Sequence, residues 1–144
     1  GKEPAIIVLE GVSMYLTEQA LQSTARAIKE ALPNASLVAD FMSTAFYERY
    51  SKKLFNRFQQ FGATFHAAKR HPVEVFLAEG FRVLEQQSIV GRAIEAGTFR
   101  MPRWIFRCMF RTLREGYSVW VLGVGPHFFK ADKSGVLFAL ARPD

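Results

Sequence analysis

Two apolar runs near the start of the chain flank one amphipathic stretch. The first run, Ala5–Leu9, consists of five consecutive apolar residues between Pro4 and Glu10. A short unbroken apolar run predicts a strand that is buried on both faces, as in a parallel sheet. Residues 35–41 predict a second strand. Between them, Thr17 is a good N-cap and Pro33 a stop for a helix, so the pattern predicts a βαβ unit.

The middle of the chain carries two further helical patterns and one strand pattern. Bulky residues recur on one helical face over 47–61. A second helix is predicted to begin at Pro72, a residue suited to a first turn, and to end at Gly80, a residue suited to a left-handed C-cap. Residues 81–85 then predict a strand. Together with the βαβ unit, these elements indicate an α/β fold.

The last third of the chain contains a basic helical pattern and a terminal strand. Pro102 opens a predicted helix on which arginines form one ridge, namely Arg103, Arg107, Arg111 and Arg114. Periodicity does not decide whether residues 117–122 form a strand or continue that helix. Residues 135–141 predict a strand that runs almost to the C-terminus.

Composition indicates one soluble globular domain over residues 1–144, with 49% hydrophobic and 22% charged residues. The single cysteine excludes a disulfide framework and fits a reducing compartment. No apolar run approaches the roughly 20 residues that span a bilayer. We therefore expect a cytoplasmic protein. A net charge of +6 permits an anionic partner such as nucleic acid but does not select one, since many basic domains simply carry a solvated Lys/Arg face.

The most informative position is the end of the first predicted strand. In open α/β sheets, ligands bind beyond the carboxyl ends of the strands, and Glu10 and Gly11 lie there. The carboxylate can accept hydrogen bonds from a cationic ligand, and glycine allows a ligand to approach the backbone. Capping of a turn by Glu10 is an equally good interpretation of the spacing alone.

The segment Glu-Gly-Val-Ser-Met-Tyr-Leu-Thr at residues 10–17, followed by an amphipathic helix, resembles the leucine carboxyl methyltransferase-like group of class I S-adenosylmethionine (SAM) methyltransferases. In that group the fourth strand ends in an acid, and Tyr-Leu or Tyr-Met precedes the next helix. Residues 37–41, 71–83 and 137–142 resemble later segments of the same fold in the same order. Only residues 10–16 are specific.

The resemblance implies the C-terminal half of a Rossmann-like SAM methyltransferase sheet, without the N-terminal half that contains the glycine-rich cofactor loop. It assigns Glu10 and Gly11 to cofactor binding and Tyr15 to the side facing the reacting centre. The implied function is O-methylation, with a carboxylate of a small molecule or of a peptide end as acceptor. We expect this half alone to bind SAM weakly or not at all.

Other sequence features give weaker hypotheses. Arg103, Arg107 and Arg111 are the best candidates for binding an anionic substrate, although a solvated face is the favoured explanation of this ridge. The histidines and Cys108 lack metal-ligand spacing, so no metal site is predicted. A nucleic-acid-binding or tRNA-modifying module and a non-catalytic interaction domain are the alternative functions. Because Ala5–Leu9 would lack a neighbouring strand, we expect a homo-oligomer or association with the N-terminal half.

Overall fold

A computed structural model describes residues 4–52, 62, 64–66, 71–98, 112, 115–124, 128–131 and 137–140. It confirms the βαβ unit. Strand β1 (Ala5–Leu9) pairs in parallel with β2 (Ala35–Met42). Helix α1 (Glu18–Ala31) connects them, and the Thr17 side chain accepts a hydrogen bond of 3.1 Å from the backbone N–H of Ala20. The cap identified from sequence therefore starts the helix.

Over the described ranges, the main sheet has four strands in the order β1-β2-β4-β3, where β3 is Arg82–Ser88 and β4 is Tyr117–Gly123. The segment that periodicity left undecided is thus a strand. It lies between β2 and β3 and is antiparallel to both. The other three strands run in one direction, so their carboxyl ends meet at one edge of the sheet, where β4 begins.

Short helical segments complete the main part of the fold. They are a 3₁₀ turn (Ser13–Tyr15), α2 (Thr44–Phe46) with a following π-helix (Tyr47–Ser51), α3 (Pro72–Ala78) and α4 (Ile89–Glu95). The helix predicted from residue 47 begins earlier, because the Ser43 hydroxyl accepts the N–H of Phe46 at 3.2 Å. Residues 53–61 of that prediction lie outside the described residues. Helix α3 confirms the prediction, and Gly80 has φ +92°. Helix α4 was not predicted.

A separate pair of strands lies near the C-terminus. The strand predicted over 135–141 is confirmed within β6 (Leu137–Leu140), which pairs antiparallel with β5 (Phe128–Ala131), a strand that was not predicted. Apart from Thr112, which is helical, the basic helix predicted from Pro102 lies outside the described residues. Within the part of the chain that the structure describes, no helix is both long and apolar enough to cross a membrane.

The hydrophobic core lies between α1, α3 and one face of the sheet. Alternate residues of β2 point to this face, and their partners on β4 do the same. Glu79, at the end of α3, connects the two helices, because its carboxylate accepts hydrogen bonds of 2.8 and 3.1 Å from the side chains of Gln22 and Arg26 on α1. The buried members of the core are Leu21, Ala25, Leu37, Ala39, Phe41, Val73, Val75, Phe76, Phe81 and Leu122.

The prediction that β1 is buried on both faces is wrong. Ile7 and Leu9 pack against the core, whereas Ile6 and Val8 remain 41% and 64% exposed. The physical reason is that α1 and α3 cover only one face of the sheet. In addition, β1 has β2 as its only paired neighbour among the described strands. The strand therefore has one buried and one open face.

We expect His71 to make the stability of the fold depend on pH. Its Nδ1 accepts the backbone N–H of Val73 at 3.3 Å and so caps α3. Burial lowers the pKa of His71, and the charge of Glu74 opposes this only in part. A histidine whose pKa is lower in the folded than in the unfolded chain contributes stability at pH values above the unfolded pKa of about 6.5. This contribution is lost as the pH falls through the folded pKa. We expect the melting temperature to fall when the pH is lowered from about 7.5 to about 5.5.

The control for this prediction replaces the titrating cap with one that does not titrate. His71→Asn keeps a good N-cap residue and should flatten the dependence of the melting temperature on pH. His66→Asn, at an exposed histidine, should leave the dependence as in the parent protein. An unchanged slope in His71→Asn would show that another group controls it.

Candidate functional site

A cavity of about 400 Å³ opens at the carboxyl edge of the sheet, on the face opposite the core. It lies where β1 and β2 end, where α4 begins and where β4 starts. The lining combines aliphatic side chains with two carboxylates and a phenol, and none of the lining residues that the structure describes is basic. The lining residues are Val8, Leu9, Glu10, Gly11, Val38, Ala39, Asp40, Ile89, Tyr117 and Val119.

Gly11 is fixed in a left-handed turn directly after β1. Its φ is +66°, a conformation that side-chain-bearing residues rarely adopt. A Cβ added there would meet no atom within 4 Å, so backbone conformation and not lack of space requires glycine. The turn presents the Gly11 N–H to Asp40, whose Oδ1 accepts it at 2.8 Å.

Asp40 joins three segments of the chain at this edge. It is only 5% exposed. Its Oδ2 accepts the hydroxyl of Tyr117 at 2.8 Å, and its backbone oxygen accepts the hydroxyl of Ser13 at 2.6 Å. A buried carboxylate is tolerated when its oxygens are hydrogen-bonded. Asp40 therefore links the end of β2 to the loop after β1 and to the start of β4.

Tyr117 is held as a neutral hydrogen-bond donor. Burial is the largest cause that raises the pKa of Tyr117, followed by the hydrogen bond to Asp40 and by the charges of Asp40, Glu10 and Tyr15. A raised phenol pKa means that the proton stays on oxygen throughout the physiological range. Glu10 lines the same cavity as Tyr117, and Tyr15 packs against the same cluster of Met14, Met42 and Phe46 as Tyr117 does.

Glu10 is the acidic group of the cavity that is open to a ligand. Its side chain is exposed and lines the cavity. Among the described residues, nothing forms a hydrogen bond or ion pair with its carboxylate. Asp40, in contrast, has both oxygens engaged by its own chain. The two acids of the cavity thus differ in what they can do: Glu10 can contact a bound molecule, and Asp40 holds the protein around it.

The structure brings together only some of the residues that the sequence singled out. Glu10 and Gly11 both line the cavity. Tyr15, half-buried in the 3₁₀ turn, is not among the lining residues and packs against a cluster that includes Met14 and Met42. Arg103, Arg107 and Arg111 lie outside the described residues. No group of His, Cys, Asp or Glu suited to a metal ion occurs in the described part of the chain.

Sequence reasoning missed Asp40 and Tyr117. Their bonds join positions 29 and 77 residues apart in sequence, which no local pattern reveals. One signal was present, since Asp40 is the single charged residue of β2, a strand that is otherwise apolar except for Ser36. An acid in a buried strand requires a partner, and that requirement could have marked it as a candidate.

The fold is similar to the crystal structure of a DUF574 family protein from Streptomyces avermitilis, with a TM-score of 0.56 and 13% sequence identity. The likeness covers 84% of this chain and 44% of that protein, so the chain spans less than half of its length. No protein-family model matches the sequence, and no curated protein matches it. The mixed sheet and its helices are consistent with part of a Rossmann-like α/β fold.

Proposed function

We propose that the chain forms one wall of a SAM-binding site in a SAM-dependent O-methyltransferase. The supporting observation is the exposed Glu10 carboxylate on a cavity wall that is otherwise largely aliphatic. SAM carries positive charge on its sulfonium and ammonium groups, hydroxyl donors on its ribose and a flat apolar adenine. An acidic and aliphatic wall complements those properties, and the exposed Glu10 carboxylate would repel a phosphate-bearing ligand.

The proposed chemistry requires alignment more than acid-base catalysis. SAM supplies an electrophilic methyl group, which an ionised acceptor oxygen takes as the carbon–sulfur bond breaks. Glu10 would accept hydrogen bonds from the cofactor, and Gly11 would contribute backbone to the same wall. Tyr15 packs beside the cavity and does not line it, so its role in orienting the acceptor would be exerted from outside the cofactor wall. The acceptor we propose is a carboxylate of a small molecule or peptide end. Its oxygen is already ionised, so orientation and exclusion of water supply the rate enhancement.

The open side of β1 supports a further part of this proposal. Ile6 and Val8 are exposed, and β1 is an edge strand among the described residues. The similar crystal structure is more than twice as long as the matched region. We propose that another stretch of polypeptide pairs with β1 and completes the cofactor site, either the N-terminal half of the domain or a second copy of this chain. The 144-residue chain alone should therefore bind SAM weakly.

The test measures SAM binding to the full-length protein by calorimetry. Glu10→Gln removes the charge with little change in shape and should weaken SAM binding by about ten- to a hundredfold, because a charge-assisted hydrogen bond contributes about 1.5–3 kcal/mol. The melting temperature should hardly change, since Glu10 is exposed. Glu30→Gln, at an exposed position on α1, is the matched control and should bind as the parent does.

Two outcomes would count against this proposal. Failure of the parent protein to bind SAM would remove the cofactor assignment. Loss of stability in Glu10→Gln with unchanged affinity would show that Glu10 only caps a turn. The nucleic-acid-binding alternative predicts instead an affinity for nucleic acid that falls steeply with salt.

A further inference from the structure

We propose that Asp40 is a positioning residue, which holds the Gly11 turn in place and thereby sets where Glu10 meets the ligand. It acts through Gly11 and makes no contact with the ligand of its own. The identity of that ligand rests on the proposed function. The role of Asp40 rests on the hydrogen bonds of this chain and is measurable in the ligand-free protein.

The geometry explains why a single residue can control the turn. Gly11 directly follows Glu10 in the chain, and its backbone N–H donates to Oδ1 of Asp40 at 2.8 Å. Two residues further on, the hydroxyl of Ser13, itself 1% exposed, donates to the backbone oxygen of Asp40 at 2.6 Å. Glycine populates positive and negative φ about equally, so position 11 has several backbone conformations open to it, and the two hydrogen bonds to Asp40 select the one with φ +66°.

Tyr117 orients the carboxylate from the opposite side. Its hydroxyl donates to Oδ2 at 2.8 Å, so the two oxygens of Asp40 face two different donors. A carboxylate accepts at both oxygens without rearrangement. Burial and the neighbouring acids raise the pKa of Tyr117, which keeps the proton in this bond. The carboxylate plane is therefore fixed before any ligand arrives.

An asparagine at position 40 separates this role from direct charge recognition. Its amide oxygen can still accept the Gly11 N–H, and its amide nitrogen can donate to the Tyr117 oxygen. Positioning should therefore survive in Asp40→Asn and fail in Asp40→Ala. A residue that recognised the ligand by its charge would lose its effect equally in both variants.

The experiment uses the full-length protein with two readouts. The first is the hydrogen-exchange rate of the Gly11 amide, measured by NMR without ligand. The second is the SAM dissociation constant. Asp40→Ala should speed Gly11 exchange and weaken SAM binding, each by about ten- to a hundredfold. Asp40→Asn should stay within about threefold of the parent in both.

A matched control separates positioning from general stability. Val75→Ala removes a buried side chain of α3 on the other face of the sheet, away from the cavity. It should lower the melting temperature. The exchange rate of the Gly11 amide, compared with the rates of other amides, and the SAM affinity should both stay unchanged. Should Asp40→Ala fail to fold, Tyr117→Phe loosens the carboxylate from one side and should speed Gly11 exchange several-fold.

The proposal is overturned if the Gly11 amide of Asp40→Ala exchanges at the rate of the parent. If Asp40→Ala does not fold, the same result in Tyr117→Phe overturns it. It is also overturned if Asp40→Asn weakens SAM binding as much as Asp40→Ala does. A parent protein that binds no SAM contradicts the proposed function instead, and the exchange rates of the variants then still decide whether Asp40 holds the turn.

Discussion

Gly116→Ala is expected to destabilise the protein by about 3 kcal/mol or more. A Cβ at this position would overlap the backbone oxygen of Thr112 and lie 2.6 Å from Cβ of Phe46. Neither atom is the free end of a flexible side chain, so relief requires movement of the backbone. Chemical denaturation of the variant and parent gives the free energies of unfolding that check this expectation.

Gly97→Ala is the control for the substitution itself. Gly97 has φ +74°, and a Cβ there would meet no atom within 4 Å. This variant carries backbone strain without a steric clash and should lose only about 1 kcal/mol. Equal losses in the two variants would show that the close contact at Gly116 is not the cause.

The contact at Gly116 also bears on the cavity. The Gly116 oxygen accepts the backbone N–H of Ser43 at 2.7 Å, just beyond the paired ends of β2 and β4. Tyr117 is the next residue, and its hydroxyl reaches Asp40. A shift of the backbone at Gly116 should therefore disturb the site as well as the fold, so any folded fraction of Gly116→Ala should show faster exchange at Gly11.

Local patterns predicted the elements whose signals are contained within a few residues. Strand β1 and helix α1 follow from a continuous apolar run and from a capped amphipathic stretch. The position of β4 could not follow from such a pattern, because it depends on pairing with β2 and β3, which lie far away in sequence. Helix α4 was missed because its seven residues are too few for a clear periodic signal.

The candidate site was predicted in the same uneven way. Glu10 and Gly11 could be located because the end of a buried strand is a position with a general meaning in α/β sheets. The importance of Asp40 could not be predicted from sequence, because it depends on three hydrogen bonds between segments that lie far apart in the chain. The exposed face of β1 was also beyond prediction, because the number of helices covering a sheet face is a property of the whole structure.

Phe41→Ala should lower stability by about 3–5 kcal/mol, the usual cost of removing a fully buried phenylalanine. Phe41 is 0% exposed in the centre of the core, and its ring lies 5.5 Å from that of Phe76. Leu77→Ala is the control, since Leu77 on α3 is 40% exposed and should cost far less. Denaturant titration of both variants measures the difference.

The same variant tests whether the two faces of the sheet have separate roles. Phe41 and Asp40 are neighbours on β2, and successive side chains of a strand point to opposite faces. Phe41 therefore supports the core, while Asp40 faces the cavity. We expect the folded fraction of Phe41→Ala to keep the ligand affinity of the parent, although its melting temperature falls. Loss of affinity in proportion to stability would mean that the core and the cavity wall do not behave independently.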